Sequence, residues 1–202
     1  MPKVSEEHRV ARRAQIVAAA RSCVVEQGFH KTTMADVIAA SELSAGAVYG
    51  YFKSKEEIVA AIAEEALSNV DELFESMLVA DEPVHPTQVL ERVLQHVVTL
   101  AERPGGDVTR IALQAWAEAL RDPAVMEIAG SKYRMLRDRF AEVARRAQAD
   151  GTISPDADPD HVAQALFGFV PGFILQRLLL GDVTPQSYTA GLHALLGGHA
   201  RQ

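Results

Sequence analysis

The sequence has little cysteine and little tryptophan. Its 202 residues include one of each, Cys23 and Trp116. A single cysteine cannot form an intrachain disulfide and lacks the neighbours that a structural zinc site needs, so disulfide scaffolds and cysteine-based metal centres are excluded. Cys23 falls on an apolar helical stripe with Ile16, Ala20 and Val24. This position favours a buried small hydrophobe over a redox sensor.

Long apolar runs are also missing. No uninterrupted apolar stretch approaches the roughly 18 residues of a membrane-spanning helix, and the N-terminus, MPKVSEEHRVARR, has no hydrophobic segment of the kind found in signal peptides. We therefore expect a cytoplasmic protein without a membrane segment. With 48% apolar residues, the chain is nevertheless long and apolar enough to bury a core.

Motifs for catalysis and cofactor binding are absent as well. The seven histidines are scattered, and the sequence has no His-Glu-x-x-His, no Gly-x-Ser-x-Gly and no phosphate-binding glycine loop. Asp156, Asp158 and Asp160 lack the glycine and the distal glutamate of a calcium loop, so we interpret them as helix caps and loop residues. The sequence predicts no enzyme, no cofactor and no metal site.

Charge is unevenly distributed along the chain. Residues 1–55 contain eight Lys or Arg and five Asp or Glu, a net charge of +3, whereas the remaining residues contain twelve and 22, a net charge of −10. The overall charge of −7 therefore does not argue against nucleic acid. A basic N-terminal part followed by an acidic remainder is typical of a protein that contacts phosphate with one end only.

Every strong local signal is helical, and no β alternation or repeat is present. Gly28 predicts the end of a first helix over residues 6–27, and Thr33 with Asp36 predicts the cap of a second. Further caps or cap-proline pairs predict where the later helices begin: Ser44, Ser54 with Glu57, Asp107, Asp122-Pro123, Asp158-Pro159 and Thr184-Pro185. For Ser54 and Glu57 we predict a capping box, in which the serine hydroxyl accepts a first-turn N–H and the Glu57 carboxylate accepts the Ser54 N–H. We predict an all-α protein of about nine helices, the fourth running from Lys55 to about Val79.

The third helix, Ala45 to about Tyr51, is too short to be stable alone. Val48 and Phe52 share one face and predict its anchor in a core. Its other sides carry small residues, glycines and tyrosine hydroxyls, with lysines close by, which suits the approach to a polar, negatively charged partner. Helices two and three could form a DNA-binding helix-turn-helix or only a surface helical hairpin. Gly50 could allow a close approach or merely be tolerated in solvent.

The segment GFHKTTMADVIAASELSAGAVYGYFKSKEEIVAAI resembles the N-terminal domain of TetR-type transcriptional regulators. The resemblance lies in a Gly-Phe pair, a Thr-Thr-hydrophobic triplet and a Gly-x-hydrophobic-Tyr-x-His/Tyr-Phe-x-x-Lys pattern, and it covers about a quarter of the chain. One feature differs, since Glu42-Leu43 stands where relatives often have Gly-Val. The leucine keeps the apolar core position.

The resemblance implies a set of DNA contacts. Thr33 would hold a phosphate at the start of helix two, and Ser44, Tyr49, Tyr51 and Lys55 would contact the sugar-phosphate backbone. Sequence would be read by Ala45, Ala47 and Tyr49, with Gly46 allowing a close approach to the groove. Arg9, Arg12 and Arg13 form either an arm toward DNA or a solvated helix end balanced by Glu6 and Glu7.

The resemblance also implies three regions: a helix-turn-helix domain over residues 1–54, a long connecting helix over 55–82 and a regulatory domain over 83–202. The regulatory domain would dimerise through the last two helices, with interface residues Phe169, Phe173, Leu192, Leu195 and Leu196. Within the ninth helix, Gly168, Pro171 and Gly172 would either make room for a ligand or let helices pack closely.

The regulatory domain of such proteins encloses a ligand, whose identity the sequence does not give. The candidate pocket residues are Phe74, Leu113, Trp116, Tyr133, Phe140 and Phe167, with Gln114 or Arg137 as polar contacts; each could equally be ordinary core. The resemblance implies a repressor that binds a palindromic DNA operator as a homodimer and is released by a small apolar or amphipathic molecule. The alternative is an activator, or a regulator that answers to a protein partner.

Overall fold

The predicted all-α fold is confirmed. The computed structural model describes residues 6–67, 70–78, 83–103 and 107–197, and these contain helices and no strand. The ten helical segments are α1 (Glu6–Gln27), α2 (Met34–Ser41), α3 (Ala45–Tyr51), α4 (Lys55–Leu67), α5 (Val70–Leu78), α6 (Pro86–Ala101), α7 (Val108–Ala119), α8 (Pro123–Ala149), α9 (Pro159–Leu179) and α10 (Pro185–Gly197).

Local signals set most of the helix ends. Proline is the first residue of α8, α9 and α10, where its missing N–H costs no hydrogen bond. The carboxylates of Asp122 and Asp158 accept first-turn N–H groups, as the sequence predicts. Gly28 ends α1 with a φ of +87°, a conformation that favours glycine. Where one helix from Lys55 to about Val79 is predicted, the structure describes α4 and α5, and residues 68, 69 and 79 lie outside the described residues.

Two compact units divide the chain. The first unit comprises Met1–Leu67 and Leu100–Gly130, and the second comprises Ser68–Thr99 and Ser131–Gln202. The three regions drawn from the sequence place α7 in the regulatory domain, whereas the structure groups it with α1 to α4. The physical reason is burial: Ile111 of α7 is 4% exposed and belongs to the same apolar cluster as Phe29 and Val48.

The core of the first unit is built around α1. Its buried side chains share an aliphatic or aromatic character: Ile16, Val17, Ala20, Val24, Phe29, Val37, Val48, Phe52, Ile58, Val59, Ala61, Ile62 and Ile111. Two ion pairs link α1 to α4, Arg13–Glu64 at 3.1 Å and Arg21–Glu65 at 3.3 Å. Surface pairs of this kind add little stability, so burial of the apolar side chains supplies most of it.

The second unit has its own core. Phe74 and Phe140 are fully buried, with ring centroids 5.2 Å apart in an edge-to-face arrangement. At one end, Asp150 accepts the Val84 N–H at 3.0 Å and pairs with Arg146 at 3.1 Å. The Val84 hydrogen bond is the main cause of a lowered pKa for Asp150, with Arg146 contributing in the same direction.

Helix α9 remains continuous through Pro171, and one of its glycines has a packing role. A Cβ added to Gly172 would lie 3.0 Å from the Tyr188 hydroxyl of α10. Tyr188 also contacts the Phe173 ring, with centroids 5.6 Å apart. Of the two roles left open by the sequence, Gly172 therefore serves the close packing of α9 and α10.

Candidate nucleic-acid interface

Helices α2 and α3 form a helix-turn-helix with a three-residue connection. Glu42 caps α2 in the left-handed conformation, with a φ of +56°, and its N–H donates to the Ala39 carbonyl at 3.3 Å. Ser44 then caps α3, its hydroxyl accepting the Ala47 N–H at 3.2 Å. These hydrogen bonds end α2 and begin α3, so they define the bounds of the turn.

One face of α3 is fixed in the core. Val48 is 0% exposed and Phe52, the residue that caps the helix, is 3% exposed. Burial of two such side chains stabilises the position of α3 by about 2 kcal/mol each. The Arg13 guanidinium lies 5.4 Å from the centroid of the Phe52 ring and shields it from solvent.

The opposite face of α3 is open to solvent. Ser44, Ala45, Gly46, Tyr49 and Gly50 are exposed, and Tyr49 is the largest of them with 43% of its surface accessible. A Cβ built on Gly46 or Gly50 would meet no atom within 4 Å, so the fold of the chain itself does not require glycine at either position. Glycine lowers the stability of a helix, and packing within the chain does not explain why two glycines lie on this face of α3.

Two predicted DNA-contacting residues lie closer to the core than Tyr49 does. Ala47 and Tyr51 are half-buried, and the Tyr51 side chain packs against the apolar cluster of the first unit. Both remain partly accessible at the edge of the exposed face. Tyr51 therefore combines a packing role with the predicted backbone contact.

The cap of α2 carries a carboxylate beside the predicted phosphate site. Asp36 Oδ2 accepts the Thr33 N–H at 2.8 Å and the Thr33 hydroxyl at 2.7 Å, and the Asp36 N–H donates back to that hydroxyl at 3.3 Å. The two hydrogen bonds from Thr33, the side-chain one foremost, hold the pKa of Asp36 below its usual value. A phosphate at Thr33 would have to displace this carboxylate.

The start of α4 differs in one detail from the predicted capping box. The Ser54 hydroxyl accepts the Glu57 N–H at 3.3 Å, as predicted, but the Glu57 carboxylate accepts the N–H of Lys53 at 2.6 Å and not that of Ser54. The prediction was wrong on this point, because the Glu57 side chain extends to the amide one residue before the cap. The Lys53 ammonium donates to the Tyr49 carbonyl at the end of α3.

Four further basic residues of the N-terminal part already have partners in the folded chain: Arg9, Arg12, Arg13 and Lys55. The Lys55 ammonium donates to the Phe29 carbonyl at 3.0 Å, and a lysine ammonium has two further protons for a phosphate. Arg9 pairs with Glu6 at 3.6 Å, and Arg12 donates to Gln15 at 2.8 Å. Arg13 pairs with Glu64 of α4 at 3.1 Å, so of the three arginines it is the one tied to another helix by an ion pair.

The six predicted pocket residues are divided between the two units. Leu113 and Trp116 belong to the first unit, and Phe74, Tyr133, Phe140 and Phe167 to the second. Phe74 and Phe140 form the core pair described above, whereas Tyr133 and Phe167 are half-buried with ring centroids 5.4 Å apart. Burial raises the pKa of the Tyr133 phenol.

The two polar candidates for the pocket have different surroundings. The Gln114 amide oxygen accepts the N–H of Phe29 at 3.2 Å, so it is engaged within the first unit. Arg137 is exposed to solvent. The sequence does not reveal the Gln114 contact, because its partner lies 85 residues away; a ligand contact by either residue stays a prediction.

The predicted interface residues of α9 and α10 fall into two groups. Leu195 and Leu196 are 73% and 62% exposed in the single chain, so both are accessible to a partner. Phe169 is half-buried. Phe173 and Leu192 are 0% and 8% exposed, so the prediction that they contact a partner was wrong. Their side chains fill the interior of the second unit and support the surface from behind.

The sequence analysis did not include three exposed leucines among the candidate interface residues: Leu175, Leu179 and Leu180. Leu180 follows α9 directly, and Leu179 is 74% exposed. The four-residue spacing from Leu175 to Leu179 was the signal that could have identified them. Helix α9 is long and apolar enough to cross a membrane by length and composition, and only 22% of its most apolar stretch is buried. The helix of a subunit interface has the same properties.

A capped helix-turn-helix with a buried anchor, an open face and a basic N-terminal segment defines the class of helix-turn-helix DNA-binding regulators. The sequence profile of bacterial regulatory proteins of the tetR family matches residues 16–62, and that of the C-terminal part of BetI-type transcriptional repressors matches residues 86–200. The chain therefore belongs to the TetR family of transcriptional regulators. It is a regulator and not an enzyme.

Similar proteins support this assignment over nearly the whole chain. The HTH-type transcriptional regulator UidR of Escherichia coli K12 is 27% identical over 191 residues, covering 92% of this chain and 91% of UidR. The structure of Salmonella enterica GusR is 26% identical, with a TM-score of 0.76 and 97% of both chains covered. A SmeT–triclosan complex is 26% identical, with a TM-score of 0.69 and coverage of 84% and 81%.

Proposed function

We propose that this protein is a repressor that binds a palindromic DNA operator as a homodimer and releases it when a small apolar or amphipathic molecule binds. The observation that carries the proposal is the open face of α3, where Gly46 and Gly50 have free space around them while Val48 fixes the helix from behind. A helix so placed can enter the major groove closely. The local net charge of +3 over residues 1–55 favours contact with phosphate.

The open face supports readout by contact and shape. Its side chains offer methyl groups and one phenol but no arginine or glutamine fork toward a base edge. Methyl groups of Ala45 and Ala47 suit thymine, and the Tyr49 hydroxyl suits a phosphate or a base edge. Ser44, Thr33 and Lys55 would set the register on the sugar-phosphate backbone.

The exposed leucines of α9 and α10 support a homodimer. Leu179, Leu195 and Leu196 are each more than 60% exposed, and several large exposed apolar side chains on two helices are typical of a surface that a partner covers. A second copy of the chain presents the same surface, so the two can form an isologous interface. Two α3 helices would then occupy successive major grooves about 34 Å apart.

The effector is proposed from the aromatic pair of Tyr133 and Phe167 in the second unit. An apolar ring beside a largely buried phenol suits a ligand with one polar group, because the hydroxyl can fix its orientation. The similar protein SmeT forms a complex with triclosan, which supports an effector of this general kind. We expect the protein in the cytoplasm, where its DNA is.

An activator, or a regulator that answers to a protein partner, is the alternative. The two functions differ in what releases the DNA. A small molecule releases a repressor of the proposed kind, whereas the alternative regulator is released by a protein or by no ligand. Release by an added compound, measured with purified protein and a fluorescent operator, distinguishes them.

The proposal is tested by the salt dependence of operator binding. We expect Tyr49→Ala to weaken binding about tenfold, the loss of one contact of about 1.4 kcal/mol. Lys55→Ala should weaken binding and reduce the slope of log affinity against log salt by about one, because one phosphate contact is lost. Lys132→Ala, in the second unit, is the matched control. Unchanged affinity and slope in both α3-region variants would rule out this surface.

A further inference from the structure

Side chains from two other helices form hydrogen bonds with the backbone of the turn between α1 and α2. The Phe29 N–H donates to the Gln114 side-chain oxygen at 3.2 Å, and the Phe29 carbonyl accepts from the Lys55 ammonium at 3.0 Å. Gln114 belongs to α7 and Lys55 to α4. We call these two contacts the Phe29 hydrogen-bond pair; both lie within the first unit.

The turn does not satisfy the Phe29 backbone by itself. The Gly28 N–H donates to the Val24 carbonyl at 2.9 Å, and the Gly28 carbonyl accepts both the N–H and the hydroxyl of Thr32, at 3.1 and 2.8 Å. These bonds close the turn around Gly28. The Phe29 side chain is 3% exposed, so its polar backbone groups need partners, and the two side chains supply them.

Gln114 is well placed to transmit the position of α7 to this turn. Ile111, one helical turn before it, is buried in the apolar cluster of the first unit, and Ala115 packs against the same cluster. The turn leads within four residues to Thr33, the cap of α2, and the other half of the pair orients the Lys55 ammonium. Both of these residues belong to the proposed phosphate-contacting set.

From this geometry we propose that Gln114 is a positioning residue for DNA binding. It holds the Phe29 N–H and thereby fixes the start of α2 and the direction of Lys55, which bonds to the Phe29 carbonyl. Gln114 itself does not contact DNA. The inference rests on the proposed operator binding through α3. It assigns a role in DNA affinity to a side chain outside the helix-turn-helix, 85 residues from the peptide that it holds.

The test compares Gln114→Met, which keeps the size and removes the acceptor, with Gln114→Glu, which restores it. Gln88→Met, on the exposed side of α6, is the matched control. For Gln114→Met we expect operator affinity to fall about tenfold and the slope of log affinity against log salt to fall by no more than in Lys55→Ala, because the charged phosphate contact that the change disturbs is that of Lys55. The Phe29 amide should exchange with solvent at least about tenfold faster. The free energy of unfolding should fall, because a buried N–H loses its partner, but the chain should remain fully folded at the temperature of the binding assay. Gln114→Glu should bind within about threefold of the parent protein.

Three results would overturn the proposal. Parental affinity in Gln114→Met would show that the contact does not position the DNA-binding surface. A salt slope lowered clearly more than in Lys55→Ala would show that the change disturbs charged contacts other than that of Lys55. Loss of affinity that tracks a lower unfolding free energy and is not restored by Gln114→Glu would show a purely structural role. If the parent protein binds no operator at all, the proposed function fails; if it binds and Gln114→Met binds equally, only this inference fails.

Discussion

Glu42 adopts a backbone conformation that favours glycine. Its φ of +56° lies in the left-handed region, which costs a residue with a Cβ about 1–2 kcal/mol. We expect Glu42→Gly to raise the free energy of unfolding by about 0.5–1 kcal/mol. This gain is smaller than the strain that is removed, because glycine has more conformational entropy in the unfolded chain, which opposes folding. Urea unfolding measures the change. Glu42→Ala is the control, because alanine removes the charge but keeps the strain, and an equal gain in both variants would contradict the explanation.

Cys23 is a buried side chain, as its place on an apolar helical stripe predicts. It is 9% exposed, and burial is the main cause of its raised pKa, with Asp36 and Glu26 adding to it. Because the thiolate is the reactive form, we expect little alkylation by iodoacetamide at pH 7.5 in the folded protein and complete alkylation in urea. Rapid labelling of the folded protein, followed by mass spectrometry, would argue for a redox role.

At the scale of single helices, the α2 cap predicts a pH dependence. The folded pKa of Asp36 lies below its usual value of 3.8, so its hydrogen bonds with Thr33 stabilise the fold fully above that value. Their contribution is lost as the pH falls through the lower, folded pKa. We therefore expect Asp36→Asn to destabilise the protein at pH 7, and the difference in unfolding free energy from the parent to narrow as the pH falls below about 4. A gap that stays constant in urea unfolding would exclude this linkage.

The glycines of α3 predict opposite effects on stability and on binding. Gly46→Ala and Gly50→Ala each place a methyl group in open space, so the free protein should gain about 0.5–1 kcal/mol per change. If DNA lies against this face, the same methyl groups should weaken operator binding about tenfold or more. Calorimetry and fluorescence anisotropy on the same preparations check both effects. Gained stability with unchanged binding at Gly50 would show that this glycine is merely tolerated.

The helices were predictable where their signals are local. A cap followed by proline marks the starts of α8, α9 and α10 within the sequence itself, and the structure confirms each start. The partner of Glu57, the engagement of Gln114 and the burial of Phe173 were not predictable in this way. Each depends on where a distant or adjoining segment passes, so helical periodicity can place a side chain on a face but cannot say what covers that face.

The candidate site shows the same limit. The motif predicted α3, its caps and its anchor, because those residues interact over three or four positions. It could not show that Thr33 is already engaged by Asp36, or that Lys55 is bonded to Phe29. These contacts decide how the phosphate-contacting residues are arranged before DNA arrives.

For the whole molecule, the exposed leucines predict the oligomeric state. We expect the double change Leu179→Glu and Leu195→Glu to convert a dimer to a monomer at micromolar concentration, because charges would then be buried in the interface. Neither change should unfold the chain, since both side chains are over 70% exposed. Leu120→Glu, at an 81% exposed site in the first unit, is the control. Sedimentation velocity distinguishes the species, and a parent protein that sediments as a monomer would refute the interface.

The reading of a two-fold symmetric operator by two copies of α3 can be tested with the purified protein. Random double-stranded DNA is selected by binding to the protein at two salt concentrations, and the retained DNA is sequenced. We expect an enriched palindrome with half-sites about one helical turn apart, retained about tenfold less by Tyr49→Ala and less at the higher salt concentration. Enrichment of an unsymmetrical motif, or of no motif in the absence of any ligand, would contradict it.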